Sequence, residues 1–454
     1  MGAGASFAYL ESSRSSRFQY PETNVASEVE MKGTSRFADI LTKATVAGHA
    51  SRAARVLSAF AMLAMAPASA DQVFGPAADF AKSGKTIHQI ELERHRDQVA
   101  LPFRDRLGLK AYRRDLMPTG SPQVSREVLG FLPYWVSDGN LRWDLLTTLA
   151  YFAVEAKSDG SIGSTHGWPD LDLVSAAHAN GVRVVLVVTN FSESGISSIL
   201  GSSANRGRLI SNLYSLVNQG GADGVNIDFE GVSKSVKANL VTFMKELTAY
   251  FEARMAAPHI TIDTPAVDWS GAFDYDELAM ASDGLMIMGY GYHWSGSTYS
   301  GPVAPLQGWG TYNLKWTISD YMQWGGSQNR DKFVLGLPWY GYKWATEDAL
   351  PKSPTEASGS SVTYAGAKSG AAAYGRLWDE EGLTPWYTYR SGTQDYQVWY
   401  DDAESNGWKY QEVNNQDLGG IGIWALGYEG SSADLWNPIE TYFGDPATST
   451  VTAR

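Results

Sequence analysis

No cysteine occurs among the 454 residues, so neither a disulfide framework nor a thiolate metal site can hold this chain together. Stability has to come from burial, and 44% apolar residues are ample for a large core. Histidine is also sparse: the 7 present are scattered without H-E-x-x-H or other ligand spacing, which leaves zinc hydrolysis without support. No G-x-S-x-G elbow exists for Ser-His-Asp catalysis. Apolar runs long enough to span a bilayer are missing too. The best candidate, RVLSAFAMLAMAPASAD between Arg55 and Asp71, has a basic flank, about ten apolar residues and an Ala68-Ser69-Ala70 ending. That is the layout of a secretory signal peptide over about residues 52–70, cleaved near Ala70, and it places the mature protein in the cell envelope, periplasm or medium. About fifty residues precede it, more than an ordinary n-region, which points to a start at Met31 or an error in the start site. A buried core helix is the alternative, weakened because no helix-length amphipathic pattern surrounds the run.

Positive charge is short as well. Residues 1–70 carry 7 of the 36 Lys and Arg and 5 of the 49 Asp and Glu, so 29 basic and 44 acidic residues remain beyond them, a net charge of −15. Such a surface repels phosphate backbones and anionic headgroups, which argues against nucleic acid or a membrane as partner. Aromatic residues, by contrast, are plentiful: 16 Trp and 24 Tyr supply faces on which sugar rings can stack, although most will serve the core.

The chain reads as an N-terminal extension (1–70), a polar extension and linker (71–124), a large domain (125–445) and a short tail (446–454). Within the domain, apolar runs at Val128–Phe131, Thr148–Val154, Val182–Val188, Gly224–Phe229, Ile260–Thr264, Gly284–Met288, Phe333–Leu337 and Ile421–Ala425 are candidate strands. Eight is the number that closes a barrel. Helical signals separate them: Asp170 as an N-cap with Gly181 at C′, Leu209, Leu213 and Leu216 in one stripe, and Val236, Leu240, Phe243, Met244, Leu247 and Phe251 in another. Strands alternating with helices imply a parallel sheet covered on both faces, and so an α/β fold of the (β/α)8 TIM barrel type. The seventy-odd residues between the last two strands, about 342–417, are too many for a plain loop and suggest a small α+β insertion, with disorder of GSSVTYAGAKSGAAA as the alternative.

In that setting GADGVNIDFEGV (221–232) is anomalous. Val225, Ile227 and Phe229 suit contact with the helices, which turns Asn226, Asp228 and Glu230 into the barrel interior. Unpaired charges there would cost on the order of several kcal/mol each, so chemistry is the better explanation, with a buried carboxylate pair bonded to backbone as the bland one. Residues two apart on a strand lie about 6.6 Å apart and point the same way, so Asp228 and Glu230 can reach one substrate. Burial and the neighbouring carboxylate both favour a protonated Glu230, as a general acid requires.

Here the sequence resembles glycoside hydrolase family 18, the chitinase family, whose hallmark is D-G-x-D-x-D-x-E on the fourth barrel strand. Asp223, Gly224, Asp228 and Glu230 match, and Asn226 replaces the central Asp. Further segments are similar in the same order: VLGFLPYW (128–135), FDYDELAMASDGLMIMGY (273–290), KFVLGLPWYGYKW (332–344) and GGIGIWALGY (419–428). TNF (189–191) and GVNIDFE look most like the bacterial branch that acts on spores and cell walls.

The resemblance implies a hydrolase of β-1,4 linkages in N-acetylglucosamine polymers, chitin or peptidoglycan, working with substrate assistance and retention. It implies Glu230 as acid and base, Asp228 and Tyr290 on the acetamido group, and Trp424 as an apolar floor. Asn226, Asp223, Met288, Tyr134, Trp339 and Tyr400 are expected to contact substrate, with no metal or organic cofactor, in a monomer. With Asn226 neutral, Asp228 is expected to lack a like-charged neighbour, and Gly291 stands where many relatives carry Asp. His293-Trp294 could line the cleft or simply pack. A chitinase-like lectin without turnover is the alternative reading.

Overall fold

Strands buried on both faces need nearly continuous apolar sequence, and segments such as VLGFLP and RVVLVVTN provide it. The computed structural model describes residues 84–106, 108–112 and 123–445; the signal-peptide-like stretch lies outside them. In the polar extension, helix α1 spans Ile87–His95 and strand β1 spans Gly108–Tyr112, so this stretch holds regular structure as well as connection. Strand β2 (Glu127–Pro133) is the first of the barrel, and β3 (Asp138–Arg142) leaves it to pair in parallel with β1. The remaining barrel strands are β4 (Thr148–Glu155), β5 (Arg183–Asn190), β6 (Gly224–Phe229), β7 (His259–Pro265), β8 (Gly284–Met288), β9 (Phe333–Pro338) and β15 (Gly420–Trp424). All pair in parallel, and β15 closes the ring between β9 and β2. Every expected strand is present, within one or two residues at most ends.

The helices between them form for the reasons the sequence suggests. Asp170 caps α2 (Leu171–Ala179), its carboxylate accepting from Leu173 N at 3.2 Å, and Gly181 follows the helix with φ +71°. Ser192 caps helix α3 (Glu193–Gly201) and Ser202 caps α4 (Ser203–Gly220), and α4 buries Leu209, Leu213 and Val217. Helix α5 (Lys237–Glu252) buries Leu240, Phe243, Met244, Leu247 and Phe251 against the barrel. Helices α6 (Tyr275–Met280) and α7 (Leu314–Trp324) follow.

Between β9 and β15 stands a second sheet. Strands β10 (Tyr340–Thr346), β11 (Ser360–Thr363), β12 (Leu377–Asp379), β13 (Thr384–Ser391) and β14 (Gln394–Trp399) pair antiparallel in the order β11-β10-β14-β13-β12. GSSVTYAGAKSGAAA is ordered here: it supplies β11 and most of helix α8 (Tyr364–Tyr374). Helix α9 (Ala403–Asn415) returns the chain to β15, and α10 (Trp436–Phe443) packs beside it. Among the described residues no helix is long and apolar enough to cross a membrane.

Candidate active site

The alternation along β6 survives folding. Phe229 points outward, its ring 5.9 Å from that of Phe243 on α5, while Asn226 and Asp228 are fully buried and Glu230 is 7% exposed. Asp228 and Glu230 therefore arrive together at the carboxyl end of the barrel. Tyr290, just past β8, and Trp424, the last residue of β15, converge on the same point.

What gathers them is a side chain from α1. His88 is fully buried; its Nδ1 lies 3.0 Å from Asp228 Oδ2 and 3.1 Å from Glu230 Oε1, and its Nε2 lies 2.9 Å from the Tyr290 hydroxyl. Its ring sits 3.9 Å from the centroid of Trp424, with Phe152 and Phe131 at 5.8 and 6.1 Å. Only the Asp228 contact of the two carboxylate contacts has hydrogen-bond direction, so Glu230 Oε1 and Asp228 Oδ1 have no hydrogen-bond partner among the described residues.

Charge follows from this packing. Burial alone would lower the pKa of His88, but the Asp228 and Glu230 carboxylates overcome it and push the value from 6.5 up to about 10. Burial, then the Asp228 charge, raises Glu230 above the usual carboxylate range, with His88 opposing. Burial raises Tyr290 well above its ordinary value. An imidazolium thus faces Asp228 while Glu230 is biased toward its protonated form.

Asn226 plays a different part from the one expected. Its amide donates to Thr261 Oγ1 at 3.0 Å and Asp263 Oδ1 at 2.7 Å, both on β7, below the cleft. Asp263 returns a carboxyl where Asn226 removes one: burial first and the Asp228 carboxylate second hold its pKa well above the usual range, which favours its neutral form. Asp228 is therefore not free of a carboxyl neighbour. One ligand atom each of His88, Asp228 and Asp263 lie within 4.8 Å of one another, a spacing that could hold a cation, though the imidazole–carboxylate pair already accounts for the cluster.

Three residues expected at the cleft are elsewhere. Asp223 precedes β6, at the opposite mouth, where its carboxylate accepts from Val184 N at 2.7 Å and faces His178 Nε2 at 2.8 Å. Trp339 is fully buried edge-on against Trp436 of α10, at 5.0 Å. Tyr400 packs among Tyr364 and Tyr387 of the second sheet and α8. Each is aromatic or acidic beside a strand end, a pattern that core and mouth contacts share with sugar contacts. Tyr134 does reach the cleft rim, where its hydroxyl donates to His95 O at 2.6 Å. Met288 and Tyr290 border an open groove that also has Glu230, Trp269 and Trp294 in its walls. Gly291 lines it with φ +79°, a left-handed backbone that an Asp would adopt only under strain. His293 is packed, its Nδ1 2.9 Å from Pro302 O.

His88 had no signal in the sequence, since nothing links a lone His in a polar stretch to a strand 140 residues away. Asp263 had one. Thr261 and Asp263 repeat the every-second-residue polar pattern of β6 inside an apolar strand.

The profile of glycosyl hydrolases family 18 matches residues 127–429, most of the described chain, and spans all the barrel strands and the second sheet. The chain belongs to family 18. Among its relatives is human di-N-acetylchitobiase, 28% identical over 336 residues, which cover 66% of this chain and 79% of that protein. The cortical fragment-lytic enzyme of Bacillus anthracis is 24% identical over 294 residues, 62% of this chain and 65% of that one. In fold, the structure of a chitinase from Trichuris suis superposes with a TM-score of 0.60 at 21% identity, covering 67% of this chain and 93% of the other. The family 18 chain is thus a glycoside hydrolase, similar to chitobiases, chitinases and spore cortex enzymes. Helix α1 lies outside the matched residues.

Proposed function

We propose that this hydrolase cleaves β-1,4 bonds next to N-acetylglucosamine in chitin-type polymers or peptidoglycan, by substrate-assisted retention. One observation carries the reading: a carboxyl biased toward protonation, a second carboxylate, a tyrosine hydroxyl and a tryptophan face meet in a space the size of one ring. Glu230 donates its proton to the glycosidic oxygen as the C1–O bond breaks. The acetamido oxygen of the same sugar attacks C1 and gives an oxazolinium ion. Asp228 accepts the acetamido N–H and stabilises the positive charge that develops there. Tyr290 donates to the acetamido oxygen, and Trp424 lies under the apolar face of the sugar. The Glu230 carboxylate then takes a proton from water, which attacks C1 as the C1–O bond of the oxazolinium ring breaks, freeing the acetamido group and restoring the original configuration. Met288 and Tyr134 border the sugar path. Export through the segment ending at Ala70, and action as a monomer, are part of the same reading.

The test is reducing-end release from chitooligosaccharides and from peptidoglycan, with products identified by mass. It is run in the wild-type and His88→Ala backgrounds, because His88 occupies the proposed sugar position. Adding Glu230→Gln lowers release about a hundred- to ten-thousand-fold. Equal release with and without that change would refute Glu230 as the acid. Binding without release in both backgrounds would favour the lectin.

A further inference from the structure

We propose that the catalytic cleft has a ligand built into the chain: helix α1 docks as an intramolecular competitor of the sugar, with His88 as its anchor. This rests on the aminosugar reading of the site.

His88 meets the same groups a reacting sugar would. Its two ring nitrogens face Asp228, Glu230 and Tyr290, and its flat face covers Trp424. No sugar ring can reach Trp424 while the imidazole lies 3.9 Å from it.

A second set of contacts, away from the reacting groups, holds the helix in the groove. The Glu91 carboxylate is 3% exposed and accepts from Ser361 Oγ at 2.7 Å and the Tyr428 hydroxyl at 3.2 Å. Arg94 bridges the same pair, donating to Glu91 Oε1 at 2.5 Å and Ser361 Oγ at 2.8 Å. The His95 ring stacks on Trp135 at 4.7 Å, and Gln98 donates to Trp135 O at 3.0 Å. The helix therefore covers the aromatic rim on one side of Glu230, and the groove beside Trp269 and Trp294 continues on the other. Ile87, His88, Glu91 and Leu92 form its buried side, whereas Glu93 lies at the surface and Arg94 only reaches back from it to Glu91 and Ser361.

The helix is also tethered. Phe103 N donates to Asp170 Oδ2 at 2.8 Å, Arg106 Nη1 to Val136 O at 3.4 Å, and β1 pairs with β3. An undocked α1 would stay within a few residues of its groove, at an effective concentration on the order of millimolar. A competitor so tethered raises the apparent KM for sugar and changes kcat less, because the displaced complex is the ordinary one.

The experiment uses the full chain. His88→Ala and Glu91→Ala, one at the reacting groups and one remote from them, are compared with wild type for KM and kcat on chitotetraose. Affinity for the same sugar is measured in the Glu230→Gln background, and amide hydrogen exchange of residues 88–95 is followed with and without saturating sugar. Expected are a KM and Kd at least tenfold lower in both variants, and loss of protection in α1 when sugar binds. Sugar binding with unchanged affinity in both variants and with α1 still protected would overturn the competitor and leave the hydrolase intact. A shifted pH profile with no change in KM would also overturn it, since His88 would then serve only to tune Glu230. No binding of sugar by any form would overturn the aminosugar reading itself.

Discussion

Asp263 shows how a single residue can be hidden by a good motif. The strand-four pattern draws attention to Asn226 as a departure, and the consequence it suggests is a solitary Asp228. Packing reverses this, because the next strand returns a carboxyl to the same place and the Asn226 amide holds it. A carboxyl whose folded pKa is raised contributes stability that is fully present below its unfolded value and is lost as pH rises through the folded one. Asp263→Asn should therefore flatten the fall of Tm with rising pH relative to wild type, as read by thermal unfolding across a pH series. Asp263→Ala instead leaves the buried Asn226 amide short of a partner and should cost about 1–3 kcal/mol at any pH. Denaturant unfolding of the two variants distinguishes a shared proton from a mere hydrogen bond.

Elements are held in place by polar groups as much as by apolar stripes. Asp170 both caps α2 and accepts from Phe103 N, so one carboxylate ties a barrel helix to the segment behind α1. Asp170→Ala is expected to lower stability by about 1–2 kcal/mol, seen as a reduced Tm. At the other end of the second sheet, Lys409 of α9 pairs with Asp401, and both are buried. Lys409→Met strands that carboxylate and should cost about 3–5 kcal/mol, whereas adding Asp401→Leu should recover most of the loss. Recovery in chemical denaturation would show that the pair itself adds little beyond mutual neutralisation; further loss in the double variant would contradict this.

At the scale of the molecule, barrel and extension form one electrostatic system. His88 is faced by Asp228 on β6 and Glu230 just past it, Asp263 on β7 and Tyr290 just past β8, with neutral rings on its remaining sides. Its pKa of about 10 when docked lies above the 6.5 of a free imidazole, so its contribution to docking is complete below 6.5 and disappears as pH rises toward 10. The KM of wild type relative to His88→Ala on chitotetraose should be highest near pH 6 and approach unity toward pH 10; a ratio independent of pH would contradict the ion pair. The eight strands, the caps at Asp170 and Gly181, the α5 stripe and the inward row of β6 were all readable from residue order. Each depends on a local period of two or 3.6 residues or on one turn of chain. Residue order alone also sufficed to suggest the family, through segments spread along the barrel. Only the tertiary structure decided that Asp223 and Trp339 lie away from the cleft, that Asp263 stands beside Asp228, and that a histidine from outside the matched domain sits between Asp228, Glu230 and Tyr290. Those facts depend on which distant segments meet when a sheet closes, and no local periodicity encodes contacts across 35 or 140 residues.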